Sequence, residues 1–323
     1  RELGQLKQAV DYNQQALAVA REIGDRPMEG GIVGNLGLAY RTLGQVEQAI
    51  DCYQQALAIA VEIWDRRGEG SCLGNLGNAH RNLGQVERAI DYYQQALAIF
   101  REIGDRPGEG VDLGNLGVAC RALGQVKQAI DYYQQALAIA REIGDRRNEG
   151  GWLGNLGNAY SDLGQVESAI DYHQQALVIA REIGHRRNEG TSLGNLGNAY
   201  GDLGQVEAAI GYYQQALAIA REIGDRRGEG LWLGNLGAAH KALGQVDAAI
   251  DCHQQALAIA RDTGDRPTEG ISLANLGLAY GALGQAKPAR ACLKQALVIF
   301  EEIESPRAET VRGWLAQLEG GRG

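Results

Sequence analysis

Two glycine-flanked nucleophiles are the first residues with chemical potential. Gly190-Thr191-Ser192-Leu193-Gly194 has the G-x-S-x-G spacing, and Gly70-Ser71-Cys72-Leu73-Gly74 is its cysteine counterpart. That spacing serves acyl transfer when the nucleophile crowns a strand-to-helix turn. No strand-like alternation surrounds either run, and equivalent stretches carry Ile-Val, Asp-Leu or Trp-Leu at the central pair, so the serine reads as a variable helix position. His80 and His240 replace a tyrosine of related stretches, His173 and His253 take a second aromatic position, and His185 stands where a capping Asp recurs. They read as aromatic substitutes and a variable cap rather than bases or ligands. There is no H-E-x-x-H, no C-x-x-C, and no carboxylate pair distinct from the repeated surface charges. The expectation is a protein without catalytic residues, metal or cofactor, and not an enzyme.

Composition narrows the partners. The 323 residues carry a net charge of −9, which disfavours nucleic acid, whose binding depends on phosphate neutralisation. No run approaches the ~20 apolar residues of a membrane span, and no signal-peptide order is visible at Arg1-Glu2-Leu3-Gly4. The spacing Gly30-x-x-x-Gly34 resembles a membrane dimer motif, but its surroundings are too polar for a bilayer. Five scattered cysteines read as reduced thiols of a cytoplasmic protein. Arginine exceeds lysine and Gly and Ala abound, as in GC-rich bacterial sequences.

What must position any site is a forty-residue period. Leu-Gly-Gln recurs at 3–5, 43–45, 83–85, 123–125, 163–165, 203–205, 243–245 and 283–285, without an insertion. Asn-Leu-Gly recurs from 35–37 to 275–277, and Gln-Gln-Ala-Leu from 14 to 254, becoming Lys-Gln-Ala-Leu at 294. A period of this length signals a solenoid. Each period holds two helices. Val33, Leu36, Tyr40 and Leu43 share one face of the first, and Val46, Ala49, Ile50, Tyr53, Ala56, Leu57, Ala60 and Ile63 share one face of the second. Asp25 caps the first helix, with Glu29 near its positive end, and Gly44 stops it. Gly24 and its equivalents close the second helix, with Trp64 and Glu304 as replacements.

The run Leu36-Gly37, Tyr40, Gly44, Ala49, Tyr53, Ala56 resembles the tetratricopeptide repeat (TPR) signature. Gly37 and Ala49 fit close helix approach. The usual TPR is 34 residues and ends near a proline, whereas here Arg21 takes that place and the helix runs on. The longer repeat resembles the arrays of the Pins/LGN adaptors and, more loosely, those of kinesin light chain. The resemblance implies an all-α, right-handed TPR superhelix of antiparallel helix pairs. The expected layout is an array over 1–304, starting mid-repeat at a second helix, then a capping helix and flexible tail over 305–323. Sixteen helices are expected: eight second helices, seven first helices and the cap, introduced by Ser305-Pro306 and carrying Val311, Trp314, Leu315 and Leu318. The start reads as the last residues of a missing first helix, and so as part of a longer protein.

In TPR folds the first helices line a concave groove, and the resemblance places contact positions at Gly34, Asn35, Leu38, Arg41, Thr42 and their equivalents. Asparagine follows the Gly34 position in every first helix, as Asn35, Asn75, Asn115, Asn155, Asn195, Asn235 and Asn275. Asn78, Asn158 and Asn198 form a second row. Amides donate and accept, so these rows suit an extended peptide backbone; pairing between neighbouring repeats is the competing explanation. Arg41, Arg81 and Arg121 share one position, with Lys241 further on, and Asp162 and Asp202 take the next; they select partners by charge or answer helix-end fields. Gly34 costs its helix about 1 kcal/mol against Ala, which close packing of repeats or of a ligand would explain.

The main expectation is a scaffold that binds a protein or extended peptide in this groove. A second is a sensor or autoinhibitory domain of a larger bacterial signalling protein, with an ATP-dependent switch or effector upstream. A third is self-association through the uncapped helix 5–23, whose Leu6, Val10, Ala16 and Leu17 lack a partner, or an engineered array, against which the irregular last repeat argues.

Overall fold

A computed structural model describes residues 2–320, which form sixteen α-helices and no strand. In chain order they are α1 (Glu2–Ile23), α2 (Arg26–Thr42), α3 (Val46–Glu62), α4 (Arg66–Asn82), α5 (Val86–Ile103), α6 (Arg106–Ala122), α7 (Val126–Glu142) and α8 (Arg146–Asp162). There follow α9 (Val166–Glu182), α10 (Arg186–Asp202), α11 (Val206–Glu222), α12 (Arg226–Ala242), α13 (Val246–Thr263), α14 (Arg266–Ala282), α15 (Ala286–Glu302) and α16 (Arg307–Gly320). The chain divides into two compact units, residues 1–163 and 164–323. Within these units each first helix packs on the second helix of the preceding repeat, and α2, α4, α6, α10, α12 and α14 also pack on that of their own. The helices are therefore stacked as repeated antiparallel pairs.

Local sequence sets the helix ends as expected. The Asp25 carboxylate accepts the Met28 backbone N–H at 2.9 Å, and aspartates cap α4, α6, α8, α12 and α14 alike. At α10 the His185 Nδ1 takes that role, accepting the Asn188 N–H at 3.2 Å. Gly44 has φ +78°, which lets the Gln45 N–H reach back to the Tyr40 carbonyl at 2.9 Å. Trp64 and Glu304 hold the same left-handed conformation with φ 60° and 52°. The expected turn at Gly4 does not form. Gly4 lies inside α1. Gly320 ends α16 rather than starting a tail, and 321–323 lie outside the described residues.

The core is small beside large. A Cβ on Gly37 would lie 2.6 Å from the Tyr53 ring, so the second helix seats its ring on first-helix backbone. Gly77, Gly117 and Gly197 seat Tyr93, Tyr133 and Tyr213 in the same way. Ala49, wholly buried, is the matching small residue on the second helix. At the C-terminal end Val311 and Leu315 of α16 cover Phe300 and Leu293, and the Ser305 hydroxyl accepts the Arg307 N–H. α1, by contrast, leaves Ala16 exposed where Ala56 and Ala96 are buried; against expectation, Val10 is buried with Leu36 and Ala39 and Leu17 packs beside them, because α2 covers that part of the α1 face.

A charged clamp joins consecutive repeats. Glu29, in the first turn of α2, is buried and held by Arg21 at 2.8 Å and Arg26 at 2.6 Å; Arg26 also reaches Glu62 at the end of α3. The hydrogen bonds from Arg21 and Arg26 hold the Glu29 carboxyl below its ordinary range. Glu109, Glu149, Glu189, Glu229 and Glu269 are each gripped by the same two arginines of their repeats. Val61 replaces the first arginine before α4, and the Glu69 side chain is then 19% exposed against 8% for Glu29. A buried carboxylate needs such compensation.

Candidate interaction surface on the first helices

First helices also touch one another: α4 meets α6 and α6 meets α8 in residues 1–163, and α12 meets α14 in residues 164–323. The residues that decide the spacing sit one turn apart. At Gly114 and Gly194 an added Cβ would lie 2.1 Å from the indoles of Trp152 and Trp232 in the next first helix. Close packing of repeats therefore explains glycine at those two positions. At Gly34 and Gly234 nothing lies within 4 Å, because the next helix offers only Cys72 or Ser272 there. Those glycines border open space.

The first asparagine row flanks these glycines. Asn35 is exposed, and Asn75, Asn115, Asn155, Asn195, Asn235 and Asn275 are half-buried. Asn115 donates to Asp112 at 3.3 Å within α6, and Asn235 donates to Asn198 at 3.1 Å, joining α12 to α10. Asn35, Asn75, Asn155 and Asn275 have no side-chain hydrogen-bond partner among the described residues. The second row is tied inward: Asn78 accepts the Tyr93 hydroxyl at 3.1 Å and Asn198 the Tyr213 hydroxyl at 2.8 Å. Asn158 is half-buried.

Among the charged positions, Arg41 and Arg81 are half-buried beside the phenols of Tyr53 and Tyr93. Arg121 and Asp162 form a two-bond ion pair at 2.5 and 3.1 Å between α6 and α8. Both are about a third exposed, so this pair contributes at most about 1 kcal/mol. Asp202 and Lys241 are exposed on α10 and α12.

Some residues of consequence were not legible as site residues. Asp112 sits in a variable slot of α6 and is 2% exposed. Its Oδ1 accepts from Asn115, its Oδ2 has no partner, and burial pushes its pKa up to about 7. The available signal was an acid where related helices carry Ile32, Cys72, Trp152, Ser192, Trp232 or Ser272. His173 and His253 are 1% exposed, and burial lowers each pKa to about 4, with Lys241 adding to the effect at His253. His80 stacks on Tyr92 at 5.1 Å, as an aromatic substitute should. Ser192 is buried within α10, with no strand-to-helix turn beneath it. Among the described residues no three His, Cys, Asp or Glu side chains gather as a metal site, and no helix is long and apolar enough to cross a membrane.

A stack of paired helices, glycines seating second-helix rings, and a capped last helix define a helical repeat protein. The sequence pattern of the tetratricopeptide repeat matches residues 1–60, 70–142, 150–222 and 229–302, and the chain belongs to that family. No curated protein sequence matches it. Among solved structures it is similar to the Signal Transduction ATPase with Numerous Domains protein PH0952 from Pyrococcus horikoshii, which has a tetratricopeptide repeat sensor. That match has 22% identity and a TM-score of 0.76, covering 96% of this chain and 46% of the other. The nearly identical TPR-like repeats of a Podosopora anserina kinesin light chain match with 24% identity and a TM-score of 0.51, over 60% of this chain and 95% of theirs. A Rap protein complexed with competence and sporulation factor matches with 15% identity and a TM-score of 0.60, over 98% of both chains. These likenesses establish the fold.

Proposed function

We propose that the protein is a non-catalytic scaffold of the cytoplasm whose first helices bind an extended segment of another polypeptide. The observation that carries this reading is the set of unpartnered amides Asn35, Asn75, Asn155 and Asn275, which recur at one position of the repeat. An amide that serves packing has its partner within the fold, as Asn78 and Asn198 do. The forty-residue repeat also resembles the Pins/LGN arrays, which supports an extended partner. The Rap protein complexed with its factor is a precedent for a bound partner on this fold, and the Rap conjugation gene regulator of plasmid pLS20 in complex with the Phr* peptide is one for a peptide. A second reading, a sensor within a larger signalling protein, is favoured by the match to PH0952, of which this chain spans less than half.

The test starts from a peptide selected on the intact chain by random-peptide display. Replacing Asn35 and Asn75 together by Ala should weaken that peptide about tenfold or more, at about 0.5–1.5 kcal/mol per lost hydrogen bond, with melting unchanged. Unchanged affinity for a peptide that protects the first helices from hydrogen exchange would reject the amide reading.

A further inference from the structure

Equivalent clefts open between first helices in the two units, and they are lined differently. In residues 1–163 the cleft between α4 and α6 encloses about 380 Å³, with Asp112 in its wall and Asn75 and Asn115 along it. Its charged lining is Arg67 against Asp105, Asp112 and Asp145. Arg67 is engaged with Asp105 at 2.8 Å and is 73% exposed, and only burial and the Asn115 hydrogen bond act on the Asp112 carboxyl. Asp105 and Asp145 are spent on helix caps at Gly108 and Asn148. Asp112 alone keeps a buried oxygen without a partner: its Oδ2 has none, and its Oδ1 has only the long bond from Asn115. Phe100 and Val111 add apolar wall to the same cleft. In residues 164–323 the cleft between α10 and α12 has Trp232 in the Asp112 slot, and its charged lining is Arg187 and Arg227 against Asp225.

A buried carboxylate left unpaired destabilises the protein, and in a peptide-binding surface the missing group can come from the ligand. Resting on the peptide-binding reading above, we propose that the α4–α6 cleft receives one basic side chain of the bound segment, with Asp112 as its counter-ion. The stem of a lysine or arginine lies against Phe100 and Val111 while its charged head meets the carboxylate. The α10–α12 cleft, with its indole and surplus of arginine, suits a different residue.

Three capped peptides of glycine, alanine and serine, differing only in a central lysine, norleucine or glutamate, test this by titration against the intact chain. The lysine peptide should bind about tenfold or more tightly than the other two. Asp112→Asn should erase that preference while leaving the norleucine peptide unaffected. Should Asp112→Asn not fold, Asp112→Ser carries the residue found at Ser192 and Ser272 and takes its place. Equal binding of the three peptides to the parent, or a lysine preference that survives both substitutions, overturns the assignment of Asp112. Failure of every peptide to bind the parent also overturns the cleft assignment, while the peptide-binding reading stands or falls separately with the display-selected peptide.

Discussion

In residues 1–163 the ring seated on first-helix glycine is a tyrosine each time: Tyr53 on Gly37, Tyr93 on Gly77, Tyr133 on Gly117. In residues 164–323 the same seat holds Tyr213 on Gly197, but His253 on Gly237 and Leu293 on Gly277, and His173 occupies the corresponding buried slot. The seat selects bulk, and the polar atoms it carries are free to vary. The consequence is electrostatic. The N-terminal unit buries an unpaired carboxyl, Asp112, and the C-terminal unit buries two imidazoles, so one architecture is given opposite responses to acid.

The signs follow from linkage. Asp112 has a folded pKa of about 7, raised by burial from 3.8, so its contribution is fully present below 3.8 and is lost as pH rises through 7. His173 and His253 have folded pKa values of about 4, lowered from 6.5 by burial, so theirs is present above 6.5 and is lost as pH falls through 4. The largest effect should come from Asp112→Asn, which relieves a penalty on the order of 3–4 kcal/mol at pH 8 and little at pH 4. Urea midpoints of the two chains across that range should diverge as pH rises; a constant difference would break the comparison from the N-terminal side. Next, His253→Tyr restores the residue of the other seats and should remove up to about 3 kcal/mol of the parent's loss between pH 6.5 and 4. Parallel pH profiles would show that this imidazole does not oppose folding in acid. The smallest effect concerns the clamp, which is complete at Glu189, Glu229 and Glu269 but broken at Glu69. Val61→Arg should stabilise the N-terminal unit by at most about 1 kcal/mol, read as a small rise in its urea midpoint. An unchanged midpoint would mean that the arginine does not close on Glu69.

The fold was legible because the period, Gly37, Ala49 and Gly44 each report a backbone constraint that acts within a few residues or recurs at each repeat. The partners of the site residues were not. The Tyr93 hydroxyl and Asn78 lie fifteen residues apart on different helices, and nothing in either helix announces their bond. Arg121 and Asp162 were visible as two charges on one surface, but not as partners, because their meeting depends on how α6 lies against α8. Glu29 was read as answering a helix end and Arg21 as replacing a proline; that both belong to one buried clamp needs the loop that folds α1 against α2. Asp112 was not legible because its slot accepts residues of many kinds, and only burial with an unpartnered oxygen sets it apart.

The clamp also bears on how such a chain can be copied. Its parts lie on both sides of the junction: an arginine ends one repeat, and the next begins with Arg-x-x-Glu and closes with a carboxylate about thirty-six residues on, as Arg26 and Glu62 show. Any repeat that ends in this arginine therefore presents the same chemical joint to any repeat that follows. Unequal crossing-over between the near-identical coding segments would add or delete whole periods and leave each new junction with a full set of charges. The Val61 repeat is the exception: wherever recombination carried it, the incomplete joint would travel too.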